Sequence, residues 1–262
     1  MTRIPAIALG FLALGVLPLS AQDLPPGLES ARLLPGWIDD QGNRIAALEL
    51  RLAPGWKTYW RSPGDSGLPP SFDWQDSSNL ADITLHWPAP EAIRSGDDLT
   101  LGYHDLLVLP FTARPADPAQ PLRLGTTVDF GLCEKICIPA NVALQAPDPG
   151  AMPDPQIEAA LKTVPRPLAQ RPLCRLTGIE DGMRLSALLP QAGAEAAAME
   201  VMGHPDIWVS SPVLQSEGNG TRATADFVAP SAQPFDLDLA EVRITLIGAD
   251  GAVETQGCDP QG

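Results

Sequence analysis

Leu48-Glu49-Leu50-Arg51-Leu52 alternates apolar and polar side chains without a break. A period of two marks a strand with one face on a core and the other toward solvent. The alternation returns in Ile83-Thr84-Leu85-His86-Trp87 and along residues 106–113 and 122–130. Between these runs stand Pro54-Gly55, Ser62-Pro63-Gly64-Asp65-Ser66-Gly67 and Ser95-Gly96-Asp97-Asp98, whose residues fix or tolerate the backbone angles of turns. Short half-buried strands joined by such turns form two packed sheets, so the first half is expected to be a β-sandwich.

The rest of the sequence points the same way. Its 29 prolines and 23 glycines in 262 residues mark frequent turns, and long helical periodicity is missing. Residues 146–172 break the strand pattern with seven prolines. One short helix is predicted inside that stretch, capped by Asp154, started by Pro155, with Ile157, Ala160 and Leu161 facing inward. Strand-like runs then resume around Asp181-Gly182, Asn219-Gly220 and Asp250-Gly251, dipeptides that favour tight hairpins. Residues 192–198 read as a short helix or a loop. The expected class is all-β: two β-sandwich domains, 22–148 and 173–262, joined by a Pro-rich linker with a short helix at 149–172.

Residues 1–21 read as a secretory signal peptide, with Arg3, an apolar run over 4–19, and then Ser20-Ala21-Gln22. Export leads to a compartment where disulfides persist. The 32 acidic residues against 17 basic ones, with no basic cluster, argue against a nucleic-acid partner and against an anionic membrane surface. No cofactor pattern is present.

Four cysteines remain to be placed. Cys133 and Cys137 lie in Phe130-Gly131-Leu132-Cys133-Glu134-Lys135-Ile136-Cys137-Ile138-Pro139. In extended chain they would stand ~13 Å apart. A disulfide tolerates about 7 Å between Cα atoms, so the segment must turn, with Gly131 and Pro139 as the residues that let it. Cys174 and Cys258 open the first strand of the second domain and close the chain; antiparallel pairing of those terminal strands would bring them into bridging range. In the chain-entropy model, closing that long loop stabilises by about 4.6 kcal/mol, against about 2 kcal/mol for the short loop at Cys133. Stapling therefore falls to Cys174 and Cys258, and exchange chemistry to Cys133 and Cys137. Lys135 would favour a thiolate there and Glu134 would oppose it. His86 and His104 lack a paired metal-ligand spacing, and His204 precedes Pro205 in a loop. Trp56, Tyr59 and Trp60 beside Arg61 are expected to fill the core rather than to form a ligand platform.

Several ordered motifs carry a resemblance. Residues 55–69 (GWKTYWRSPGDSGLP), Trp87-Pro88-Ala89-Pro90, Gly102-Tyr103 with Leu107-Val108-Leu109-Pro110, and the segment from Cys133 to Pro139 resemble the amino-terminal periplasmic region of the DsbD and ScsB thiol-disulfide reductases. The resemblance spans most of the first domain. It implies an immunoglobulin-like sandwich in the periplasm whose cysteine pair passes electrons from a thioredoxin-like domain to oxidised periplasmic proteins. It also assigns attack to Cys137 and resolution to Cys133. The family shields its pair with an aromatic-bearing loop, and Tyr103 in Leu101-Gly102-Tyr103-His104-Asp105 is the nearest candidate; the other reading packs Tyr103 at a sandwich edge with its hydroxyl in water. Family members continue into membrane helices and a thioredoxin-like domain, whereas this sequence ends at Gly262, so a separate DsbD/ScsB-type membrane reductase or thioredoxin-like donor is expected.

Two other functions use the same residues. Paired thiolates at Cys133 and Cys137 could handle Cu(I), a soft cation, and related reductases are associated with copper tolerance. Alternatively both disulfides are inert and the chain is a structural binding module.

Overall fold

In this computed structural model residues 24–64, 66–96 and 98–261 are described, and the expected signal segment 1–21 lies outside them. The first half forms β1 (Leu28–Ile38), β2 (Arg44–Leu52), β3 (Lys57–Tyr59), β4 (Ser71–Asp73), β5 (Leu80–Leu85), β6 (Glu91–Ser95), β7 (Asp98–His104), β8 (Leu106–Pro115), β9 (Gly125–Cys133) and β10 (Cys137–Gln145). One sheet has the order β1-β2-β8-β5 and faces a second of order β10-β9-β3-β7-β6, with β4 also paired to β9. This is the immunoglobulin-like sandwich. Leu48, Leu50, Leu109 and Phe111 from one sheet meet Leu101, Val128, Phe130 and Leu132 from the other, around Trp60 and Trp87.

β2 departs from the half-buried pattern of the stretch quoted above. Its inner face holds Leu48, Leu50 and Leu52, while Ala47 and Glu49 on the other face lie under α1 (Pro155–Leu161). The helix begins where Asp154 Oδ1 accepts from the backbone N–H of Gln156 and Pro155 takes the first helical position. Fully buried Ile157 docks on Leu34, Ala47 and Val108. Only 1 % of the Glu49 side chain remains exposed, and it accepts from Arg32 Nε at 2.8 Å and Gln156 Nε2 at 2.6 Å. These partners hold the carboxyl below its usual range although burial pushes it up.

The second half forms β11 (Arg166–Pro167), β12 (Leu173–Ile179), β13 (Gly182–Leu189), β14 (Ala194–Val201), β15 (Trp208–Val209), β16 (Val213–Glu217), β17 (Gly220–Val228), β18 (Val242–Gly248), β19 (Gly251–Gln256) and β20 (Asp259–Pro260). Its sheets run β11-β19-β18-β14 and β15-β17-β13-β12-β20, with β16 also on β17. The hairpin loops fall one residue before the expected dipeptides, because Ile179 pairs with Gly182, Glu217 with Gly220 and Gly248 with Gly251. Gly182 and Gly220 serve close approach: a Cβ there would lie 2.0 Å from the Phe227 carbonyl oxygen and 2.5 Å from that of Leu189.

Two expectations are corrected. Residues 192–198, read as helix or loop, lead into and form most of β14. Ala197 and Met199 enter the core of the second sandwich, whereas Ala196 and Ala198 join that of the first. Small side chains on both faces let two sandwiches close on one strand, so tertiary contact overrides the helical preference of alanine. The terminal strands pair parallel, not antiparallel: Leu173 lies beside Asp259 and Cys174 beside Pro260. β19 belongs to the opposite sheet, and the chain crosses through Gly257 and Cys258 before running alongside β12.

Candidate functional site

β9 and β10 form a hairpin whose last pair is Cys133 and Cys137, with Cα atoms 4.1 Å apart and a disulfide between them. The turn is Glu134-Lys135-Ile136. Gly131 and Pro139, expected to redirect the chain, instead face each other inside the ladder. The two cysteines differ in access: Cys133 is 4 % exposed, whereas Cys137 is exposed beside Ile136, itself 74 % exposed. The Lys135 ammonium and the Glu134 carboxylate stand 3.9 Å apart at the tip, so their opposite effects on a thiolate offset one another.

Register decides which groups share the outer face. Cys133 lies across from Lys57, and Lys57 across from His104, so a row runs Cys137, Cys133, Lys57, His104 over four strands. Tyr59, two residues along β3, points the same way and is 2 % exposed. Its hydroxyl lies 3.0 Å from Cys133 Sγ and 3.1 Å from Cys137 Sγ. Burial pushes the phenol upward, so it stays protonated and can donate to sulfur. Gly131 makes the place for the ring, since a Cβ there would come within 2.7 Å of Tyr59 Cε2. The segment after β3 closes over it: a Cβ at Gly67 would meet Pro63 and, at 2.9 Å, Tyr59 Cδ1, and Leu68 reaches Gly131.

Tyr103, the expected cap, faces the other way. It pairs with Thr58, on the core side of the sheet, and its hydroxyl donates to the Pro88 carbonyl at 2.8 Å. The tyrosine against the pair is Tyr59, contrary to the expectation that it fills the core with Trp56 and Trp60. Trp60 is fully buried there, and Trp56 packs against its margin. Which strand lies beside β9 sets this arrangement, and the local pattern around Tyr59 does not carry that information.

Lys57 is 9 % exposed and donates to Thr100 Oγ1 at 3.0 Å; burial pulls its pKa down, with Asp98 opposing. His104 Nδ1 lies 2.8 Å from Glu91 Oε2, and His86 Nε2 lies 2.7 Å from Thr112 Oγ1, so neither histidine turns to the sulfurs. The other cysteines, Cys174 and Cys258, are joined with Cα atoms 5.8 Å apart and are 1 % and 5 % exposed. No described helix is long and apolar enough to cross a membrane.

Residues 30–149 match the family model described as thiol:disulfide interchange protein DsbD, N-terminal. Among solved structures the chain is similar in fold to the N-terminal periplasmic domain of ScsB from Proteus mirabilis, with a TM-score of 0.65 and 22 % identity over 88 % of this chain and 92 % of that one. No curated protein matches the chain. The matched segment holds nearly all of the first sandwich, the Tyr59 strand and the cysteine hairpin. Residues 30–149 are thus similar to the amino-terminal region described for the thiol:disulfide interchange protein DsbD.

Proposed function

We propose that this protein relays electrons in the periplasm through Cys133 and Cys137, from a thioredoxin-like domain or a DsbD/ScsB-type membrane reductase to disulfide-containing proteins. The observation that carries this is the asymmetry of the pair: an exposed Cys137 bonded to a buried Cys133, with one tyrosine hydroxyl against both sulfurs. A donor thiolate attacks Cys137 Sγ, the bond to Cys133 breaks, and Cys133 leaves as a thiolate that accepts from Tyr59. The donor's second thiol then attacks its own sulfur in the mixed disulfide and releases Cys137 as a thiolate. The donor is oxidised and the pair reduced.

Delivery reverses these steps. The Cys137 thiolate attacks an acceptor disulfide and expels one acceptor thiolate. Cys133 then attacks Cys137 Sγ, expelling the other and restoring the starting disulfide. We take residues 22–148 as the redox domain, 149–172 as the linker and 173–262 as the second domain, with Cys174 and Cys258 as its staple.

A trap tests the reading. With Cys133→Ala the mixed disulfide at Cys137 cannot be resolved, so covalent adducts with periplasmic proteins should accumulate; an empty trap counts against exchange. Redox titration should place the pair above about -300 mV, the region of exchangeable disulfides. A lower value marks an inert staple. Tight Cu(I) binding abolished by Cys133→Ser with Cys137→Ser would transfer the site to metal handling.

A further inference from the structure

The segment over Tyr59 has a second side. Gly67 lies against Pro63 and Tyr59, and Leu68 against Gly131 of β9, while Arg61, Pro63 and Gly64 border the second sandwich. Arg61, 13 % exposed, lies 4.1 Å over the Trp60 ring and pairs with two carboxylates of that sandwich: Glu200 of β14, with Nε to Oε2 at 3.1 Å, and Glu254 of β19 through Nη2. Each carboxylate is held in turn. Arg243 Nη2 reaches Glu200 Oε1 at 2.7 Å, and Thr245 Oγ1 donates to Glu254 Oε2 at 2.8 Å. Beyond Arg61 the contact opens into a cleft of about 550 Å³, bounded by Pro63 and Gly64 on one side and by residues 199–212 on the other. The space behind the segment is thus open, and Arg61 joins it to the second sandwich through two ion pairs, with Gly64 near Ser211 Oγ as a further approach.

We infer that Arg61, clamped by Glu200 and Glu254, is a positioning residue: the second sandwich holds residues 61–64 and 66–69 down on Tyr59 and so sets how readily a thiol reaches the Cys133–Cys137 disulfide. Arg61 is two residues from Tyr59 in sequence, so the clamp acts on the shielding side chain through a very short length of chain. The inference rests on the exchange reading and assigns the second sandwich a part in it. Charge-assisted, partly buried pairs are strong enough for this work, and neutralising one carboxylate leaves Arg61 with an uncompensated share of its charge.

The test measures the rate at which dithiothreitol reduces Cys133–Cys137 in the full chain, for wild type, Glu254→Gln and Glu200→Gln, each confirmed folded by its unfolding midpoint. Both variants lie in the second sandwich, away from the sulfurs. About tenfold faster reduction is expected, the factor equivalent to losing one charge-assisted hydrogen bond. The gain should vanish in a Tyr59→Ala background, where nothing is left to hold down. Unchanged rates in both glutamine variants overturn the clamp, as does an equal gain with and without Tyr59, which would mean general loosening. A wild-type pair inert toward glutathione would sink the exchange reading alone, because the rate ratio with dithiothreitol still decides the clamp.

Discussion

The two disulfides differ in span and in access, and the proposed function gives them opposite ends. Cys133–Cys137 spans four positions at a hairpin tip, with one cysteine exposed and a tyrosine hydroxyl on both sulfurs. Cys174–Cys258 spans 84 positions, and both of its cysteines lie in the apolar cluster of the second sandwich with Leu185, Phe227 and Leu237. A long loop gains most from closure, and a buried bond is out of reach of an attacking thiolate. A short loop contributes little that the hairpin ladder does not already supply, and on the proposed reading its value lies in being broken and remade. Sequence separation and access together distinguish the two.

The largest expected effect is on stability. Replacing Cys174 and Cys258 by alanine should cost about 4.6 kcal/mol, while the same change at Cys133 and Cys137 should cost about 2 kcal/mol or less. Urea unfolding of the two double variants checks the ranking, and equal losses would break the comparison. Next is the order of reduction. At graded thiol concentrations, mass spectrometry after alkylation should find Cys133 and Cys137 labelled while Cys174 and Cys258 remain joined. Simultaneous labelling of all four would show that burial of the second pair gives no protection.

A smaller effect belongs to Tyr59. Its hydroxyl can donate to the thiolates of the reduced form, so Tyr59→Phe should lower the reduction potential by about 30–60 mV, the equivalent of one hydrogen bond to a charged acceptor. Tyr103→Phe should leave the potential in place, because that hydroxyl is committed to Pro88 on the other face of the sheet. Reversed results would return the capping role to Tyr103.

Much of this was legible in the residues. Leu48, Leu50 and Leu52 announce a strand with an apolar face, and Asp154-Pro155 announces a helix start, because both signals are local. The family motifs point to the first sandwich and to the cysteine pair. What escaped depends on contacts between distant segments. Glu49 is polar in a polar slot of the pattern, yet it is buried because α1 lies over that face of β2. The alanines of β14 have helical preference and form a strand because two cores meet on it. Tyr59 belongs to an aromatic run that does pack in the core, but only the pairing of β3 with β9 reveals that its own side chain points the other way, to sulfur. The parallel entry of β20 beside β12 depends on a crossing between sheets that no local pattern records.

The smallest effect tests whether electrostatics adds to the difference between the pairs. Lys57 lies across from Cys133 in the ladder but sends its ammonium toward Thr100 on β7, so the charge stands roughly two strand spacings, about 10 Å, from the sulfur. At an effective dielectric of about 20 the attraction to a thiolate is about 1.7 kcal/mol, which caps the effect near one pH unit. The sign follows from the charge: a cation favours the thiolate, so Lys57→Met should raise the pH at which reduced Cys133 reacts with iodoacetamide. Burial already draws the Lys57 pKa down, so the wild-type benefit should fade as the ammonium deprotonates at alkaline pH, and the two profiles should converge there. Superimposable profiles throughout would leave Tyr59 and access as the whole of the difference between the two disulfides.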